Sequence, residues 1–363
     1  MKNIIFLAVL MALSLSLSAE LMWPDAIPIR QGVNIEWFRT GTETEDGGAI
    51  YVWSDTKLGE RDLYAQKVNA GGTMVWGEPL LIDSKPDRQE DPVITRTSDN
   101  NYIIAWIDFS DDLDGNVYAQ KVSSAGQLLW ATGGVPVCTY FGVQISLNIE
   151  SDNAGGAYIV WADSRNPSTD LYAQRLSSTG AALWAEDGIP VANGNGDEVQ
   201  NTMFPDGEGG MMIAYTFTYV GNDDIYAKRF LPNGTMAWAQ PLTVASGPGN
   251  QSSVRMAPLA NGEFVLVWKN QPEVDDNIYA QKINRAGQTL WPSPFVVIND
   301  SQTTAAPQLN PRVVTTSDNG VIVAWEDFRL NNQNADLFAQ KISAAGVLKW
   351  NPDGVLITNA DFA

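Results

Sequence analysis

The residues in this sequence best equipped for chemistry are carboxylates. The densest run is Asp111-Asp112-Leu113-Asp114-Gly115-Asn116, and pairs stand at Asp223-Asp224 and Asp275-Asp276. Closely spaced hard oxygens beside a glycine suit Ca²⁺, so Asp111, Asp112, Asp114 and Asn116 form a candidate calcium loop. Their spacing completes neither an EF-hand nor a repeat-in-toxin loop. A second set recurs along the chain. Asp55, Asp108, Asp163 and Asp327 each follow an aromatic by two residues, and Arg165 and Arg329 follow two of them by two more. An Asp that accepts loop amides, paired with an Arg, makes a clasp that orders a connection. Recurrence favours this structural role, because a catalytic group is needed only once.

Composition removes several chemistries. The chain has no His, which excludes Ser-His and Cys-His nucleophile systems and imidazole metal sites. Cys138 is the only Cys, so no intramolecular disulfide or thiolate cluster forms, and a buried apolar role is expected. No P-loop or dinucleotide fingerprint is present. Any catalysis would rest on carboxylates, Tyr, Lys, Arg or a bound cation, and sequence alone singles out no catalytic residue. A glycosidase needs two carboxylates facing one another across a pocket, and spacing does not pair them.

These residues sit in a repeat. Trp76, Trp130, Trp184, Trp238, Trp291 and Trp350 recur at intervals of one structural unit, with Trp23 one interval ahead of them. Tyr64, Tyr118, Tyr172, Tyr226, Tyr279 and Phe338 run in phase. Each copy holds four short segments, here lettered a to d. Segment b is a nearly continuous apolar run such as AYIVW, as a strand buried on both faces requires. Segment c, such as LYAQKV, alternates. A Gly separates c from d every time, at Gly72, Gly126, Gly180, Gly234, Gly287 and Gly346, where a tight hairpin needs positive φ. Four short antiparallel strands repeated at this period predict an all-β propeller of six four-stranded blades. The six segment-d Trp residues are expected to fill the wedges between blades. The segment ELMWPDAIPIRQG around Trp23 reads as an extra, outer N-terminal strand.

Residues 1–19 read as a secretory signal: Lys2, then a short apolar stretch, then the small residues Ser18 and Ala19. Residues 20–363 then form one propeller domain. No Cys follows the apolar stretch and no later segment could span a bilayer, so a secreted or periplasmic protein is expected. A secreted chain without disulfides fits a bacterial exported protein. The net charge of −20 makes nucleic acid and anionic membranes poor partners. Nothing in the sequence argues against a monomer.

At GGAYIVWADSR, DLYAQRLSSTG and AALW the chain resembles exported bacterial β-propeller repeat proteins of poorly characterised function. Their repeats read W-x-D, then D-[IL]-Y-A-Q-[KR], then G-x-x-x-W. The resemblance implies the propeller and an exported location, and it carries no catalytic residue. Copy four departs most: Tyr215 replaces the Trp, Phe217 the Asp and Lys228 the Gln. Three functions are compatible with a rigid ring that presents variable loops. The leading one is a binding module for a protein or glycan. The alternatives are a carbohydrate-active hydrolase or lyase using loop carboxylates, and a structural subunit of an envelope assembly.

Overall fold

A computed structural model describes residues 36–271, 276–292, 295–298, 306–330 and 334–358, with side chains from residue 40 onward. The leader and the strand expected around Trp23 lie outside the described residues. The described residues fold into six four-stranded antiparallel sheets, each pairing its strands in the order a-b-c-d. In blade 3 the strands are Gln144–Ser151, Ala157–Asp163, Asp170–Leu176 and Ile189–Ala192. In blade 4 they are Asp197–Pro205, Met211–Tyr219, Asn222–Phe230 and Leu242–Ala245. The a strands of consecutive blades lie side by side, which is the β-propeller arrangement. The only helical turn among the described residues is the 3₁₀ turn Ala260–Gly262. No described helix is long and apolar enough to cross a membrane.

Why each copy becomes a blade follows from burial. Strand b of blade 3 is buried at all seven positions, so neighbouring sheets cover both of its faces. Strand c is fastened to its neighbours by polar side chains. The amide of Gln174 donates to Ala185 O at 2.8 Å and accepts from the Trp184 N–H at 3.0 Å, which latches segment d. Gln120 and Gln340 make the same pair of bonds. One residue on, a cation ties strand c to the a–b turn: Lys121 with Asp99, Arg175 with Asp152, Lys341 with Asp318. In blade 4 this cation is Arg229, paired with Asp206, and Lys228 occupies the Gln place.

The glycines between c and d serve two purposes. Gly234 has φ +82°, and a Cβ there would lie 3.0 Å from the Trp184 ring of the preceding blade. The Trp184 indole N–H donates to Pro232 O in that same hairpin at 3.0 Å. The same ring-on-glycine contact joins Trp76 to Gly126, Trp130 to Gly180, Trp238 to Gly287 and Trp291 to Gly346. Burial along the Trp row is nonetheless uneven. Trp76, Trp184 and Trp291 are buried, whereas Trp130 and Trp238 are half-buried. Trp350 does not fill a wedge: it is 38% exposed, against 4% for Trp291. The physical reason is that blade 6 does not pack against blade 1 among the described residues in the way that every other consecutive pair of blades packs. Leu337 and Ile357 of the same blade are also exposed, where their counterparts Leu171 and Val191 are buried.

Candidate functional site

The b–c and d–a loops share one face of the ring, where the recurrent carboxylates gather. Asp163 accepts the Trp161 indole N–H at 2.8 Å, the Arg165 backbone N–H at 2.9 Å and the Arg165 guanidinium at 2.6 Å. Asp327 accepts the same donors from Trp325 and Arg329. In blades 2, 3 and 6 the W-x-D motif is thus an indole donor beside its own acceptor. In blade 2 no Arg follows Asp108, and Lys85 arrives from the d–a loop instead, at 2.7 Å. Burial and a hydrogen bond with Asp108 push the neighbouring Asp83 carboxyl up to about 7. Asp55 is buried at the corresponding strand end of blade 1.

The candidate calcium loop does not assemble. Asp112 accepts the Asp114 N–H at 3.0 Å, Asp111 faces the Tyr118 hydroxyl, and Asn116 is buried in strand c. Among the described residues no group of three or more His, Cys, Asp or Glu side chains could hold a metal ion. Asp112 is spent on its own turn, because an Asp side chain caps nearby amides readily.

The regular pattern breaks in blade 4. In blades 2, 3 and 6 a buried Gln opening strand a sits across from the clasp Asp closing strand b, as Gln89 with Asp108, Gln144 with Asp163 and Gln308 with Asp327; in blade 1 Glu36 stands across from Asp55, and in blade 5 Gln251 across from Asn270. In blade 4 the same register pairs Glu198 with Phe217. Tyr215 stands for the Trp and Lys228 for the latching Gln. These four exchanges line an open cavity of 270 Å³ with Glu198, Tyr215, Phe217, Tyr226 and Lys228, bordered by the Ala192–Gly194 turn and Pro241. A second cleft of 440 Å³ adjoins it through Asn193 and Gly194 and is lined by Asn166, Pro167, Ser168 and Asp170 of blade 3. Tyr215, Phe217 and Lys228 mark copy four as divergent in the sequence; Glu198 is less conspicuous, because Glu36 holds the same place in copy one while copies two, three, five and six carry Gln.

Glu198 is held firmly. Its backbone N–H donates to Thr169 O at 2.7 Å, and Oε1 accepts the Gly194 N–H at 3.0 Å. Oε2 is buried with no hydrogen-bond partner among the described residues. Burial pushes its proton affinity up to about 7, with the charge of Asp170 adding to this against the Gly194 amide and Lys228. Asp170 faces it from blade 3, its two oxygens taken by Asn166 at 2.5 Å and Ser168 at 3.1 Å. Burial lowers the Lys228 pKa, and Glu198 opposes that. The Lys228 ammonium donates to Val191 O at 2.6 Å. Burial also raises the Tyr215 hydroxyl pKa. The set is therefore one carboxyl that changes charge near neutrality, a second carboxylate, an ammonium and two phenols around a cavity. Groups with displaced proton affinities gathered in a cleft mark functional sites more often than structural ones.

The b–c connection of blade 4 is also unusual. Blade 3 crosses from Asp163 to Asp170 by a loop, but blade 4 pairs its strands out to Tyr219 with Asn222. The turn is Val220-Gly221, both at positive φ, 51° and 78°. That two-residue turn favours Asn-Gly, and a β-branched residue there is strained. Val220 is 87% exposed at the tip.

No protein-family model matches the chain, and no curated protein matches it. Among solved structures, it is similar to a PL25 ulvan lyase bound to -[GlcA(1-4)Rha3S]-, with TM-score 0.55 and 9% identity over 87% of this chain and 81% of that one. The polysaccharide lyase Uly1 gives TM-score 0.52 and 9% identity over 84% and 77%. A protein of unknown function from Dyadobacter fermentans DSM 18053 gives TM-score 0.45 and 15% identity over 83% and 93%. The first two likenesses bear on the propeller fold alone.

Proposed function

We propose that the protein is a carbohydrate-active propeller whose working site is the cleft between blades 3 and 4. The observation that carries this reading is the cavity itself. It opens at the one blade where four repeat positions change together, and each change places a group with acid–base or stacking capacity in its wall. The fold neighbours named as polysaccharide lyases agree with a glycan ligand.

Hydrolysis suits the site better than elimination. An elimination needs a free cation to neutralise a uronate beside the departing proton. Here Arg165 is committed to Asp163 and Lys228 to Val191 O. Glu198, with a proton affinity near 7, is suited to protonate a leaving oxygen as general acid, with Asp170 on the facing blade beside it.

A second reading, recognition without cleavage, is favoured by one fact. Glu198 is only 2% exposed, so it sits at the floor of the cavity. Incubation with a panel of soluble polysaccharides, followed for binding and for new reducing ends, separates the two. Cleavage that disappears in Glu198→Gln while binding persists supports hydrolysis. Binding with no cleavage supports recognition. A chain that neither binds nor cuts any polysaccharide refutes the carbohydrate assignment.

A further inference from the structure

Large aromatic side chains stand free on the same face, on either side of this cleft. Phe141 is 75% exposed and Tyr140 half exposed, both on the d–a loop between blades 2 and 3; Tyr219 is 51% exposed on the blade 4 hairpin. Their backbones are fixed rather than loose. The Val143 N–H donates to Ser164 Oγ at 2.9 Å, Ser164 N–H returns to Val143 O at 3.0 Å, and Thr139 N–H donates to Asp187 at 2.8 Å. The Arg165 guanidinium lies 4.5 Å from the centre of the Tyr140 ring and supports it from below. Tyr219 stacks on Phe217 at 6.2 Å with the ring planes 6° apart, and Phe217 itself lines the cavity. Rigid, exposed aromatic rings increase the hazard of aggregation, so their presence on a pinned loop and a strained hairpin points to a ligand.

The order along the rim is Phe141 and Tyr140, then the Asn166–Asp170 loop, then the Asn193–Asn195 turn, then Tyr219. The rings therefore flank the Glu198 cleft at both ends. We propose that Tyr140, Phe141 and Tyr219 are stacking subsites for an uncharged glycan chain that lies along this rim across blades 3 and 4. The proposal rests on the carbohydrate reading above and names its substrate class. Sugar rings present apolar C–H faces that pack flat on aromatic rings, while their hydroxyls meet the amides of Asn166, Asn193 and Asn195. The charge of the rim selects against anionic chains. Asp170, Asp187, Asp197 and Asp223 lie on it, and the nearby cations are engaged internally. A sulfated or uronate polymer would meet like charge.

The test is titration calorimetry of the full chain with soluble neutral polymers (arabinan, xylan, laminarin) and two polyanions (polygalacturonate, chondroitin sulfate). Phe141→Ala and Tyr219→Ala are each expected to weaken binding of the neutral polymer by about three- to tenfold. Phe141 is exposed and its variant should keep the wild-type melting temperature, which separates lost contact with the polymer from lost folding. Wild-type affinity retained in both variants overturns the subsites and leaves the carbohydrate reading standing. Preference for the polyanions overturns the substrate class. A wild-type chain that binds none of the five polymers removes the carbohydrate reading, and the subsites with it.

Discussion

Glu198→Gln should make the protein more stable while removing its acid–base group, and the size of the gain can be worked out. Glutamate ionises at about 4.5 in the unfolded chain and at about 7 here. The folded state therefore holds the proton more tightly, and stability falls as pH rises from about 4.5 to about 7. A difference of this size corresponds to about 3 kcal/mol lost above pH 7. The cavity admits water, and Lys228 would lose its nearest carboxylate, so about 1.5–3 kcal/mol is the reasonable range. Gln is already the residue at this place in blades 2, 3, 5 and 6, as Gln89, Gln144, Gln251 and Gln308, all buried. In blade 3 its Nε2 donates to the d–a loop carbonyl of Tyr140 at 2.9 Å, a bond the variant can copy. Urea denaturation followed by Trp fluorescence at pH 4.5 and pH 8.5 tests this directly. Wild type and variant should agree at pH 4.5, and the variant should be more stable at pH 8.5. Equal stability at pH 8.5, or an unchanged slope between the two pH values, would refute the electrostatic account of Glu198. A gain in stability with a loss of activity is the trade expected where a buried carboxyl is kept for function.

Three further outcomes follow from the packing. Trp184→Ala should cost about 3–5 kcal/mol because its ring closes a blade junction on Gly234, whereas Trp350→Ala should cost less than about 1 kcal/mol; equal losses in denaturation would contradict the burial difference. Arg165→Ala leaves Asp163 buried without its guanidinium and should cost about 3–5 kcal/mol; a melting temperature within a degree of wild type would show the clasp to be dispensable. The Cys138 thiol, pushed up to about 12 by burial, should resist a thiol-disulfide reagent in the native protein and react on unfolding; rapid labelling of folded protein would place it at the surface.

Much of the fold is legible because each copy repeats the same local choices. Segment b reads as a fully covered strand, and in blade 3 it is buried at every residue. The clasp of Asp163 with Arg165 was visible as two charges at a fixed offset, since both partners are local. The second use of the hairpin glycines was not visible. Positive φ is a local requirement, but the Trp184 ring over Gly234 joins residues from different blades. The calcium loop failed for a related reason. Proximity in sequence brings Asp111, Asp112 and Asp114 near one another without aiming their oxygens at one point.

The sequence by itself determined the blade, its strand order and the lack of imidazole chemistry, because strand pairing within a hairpin and residue types are local properties. Only the tertiary structure decided that Glu198 meets Asp170 across a blade junction, that Phe217 and Lys228 open a cavity around them, and that Trp350 faces solvent. Proton affinity and exposure depend on which surfaces are brought together and how much water they displace, and no single repeat carries that information.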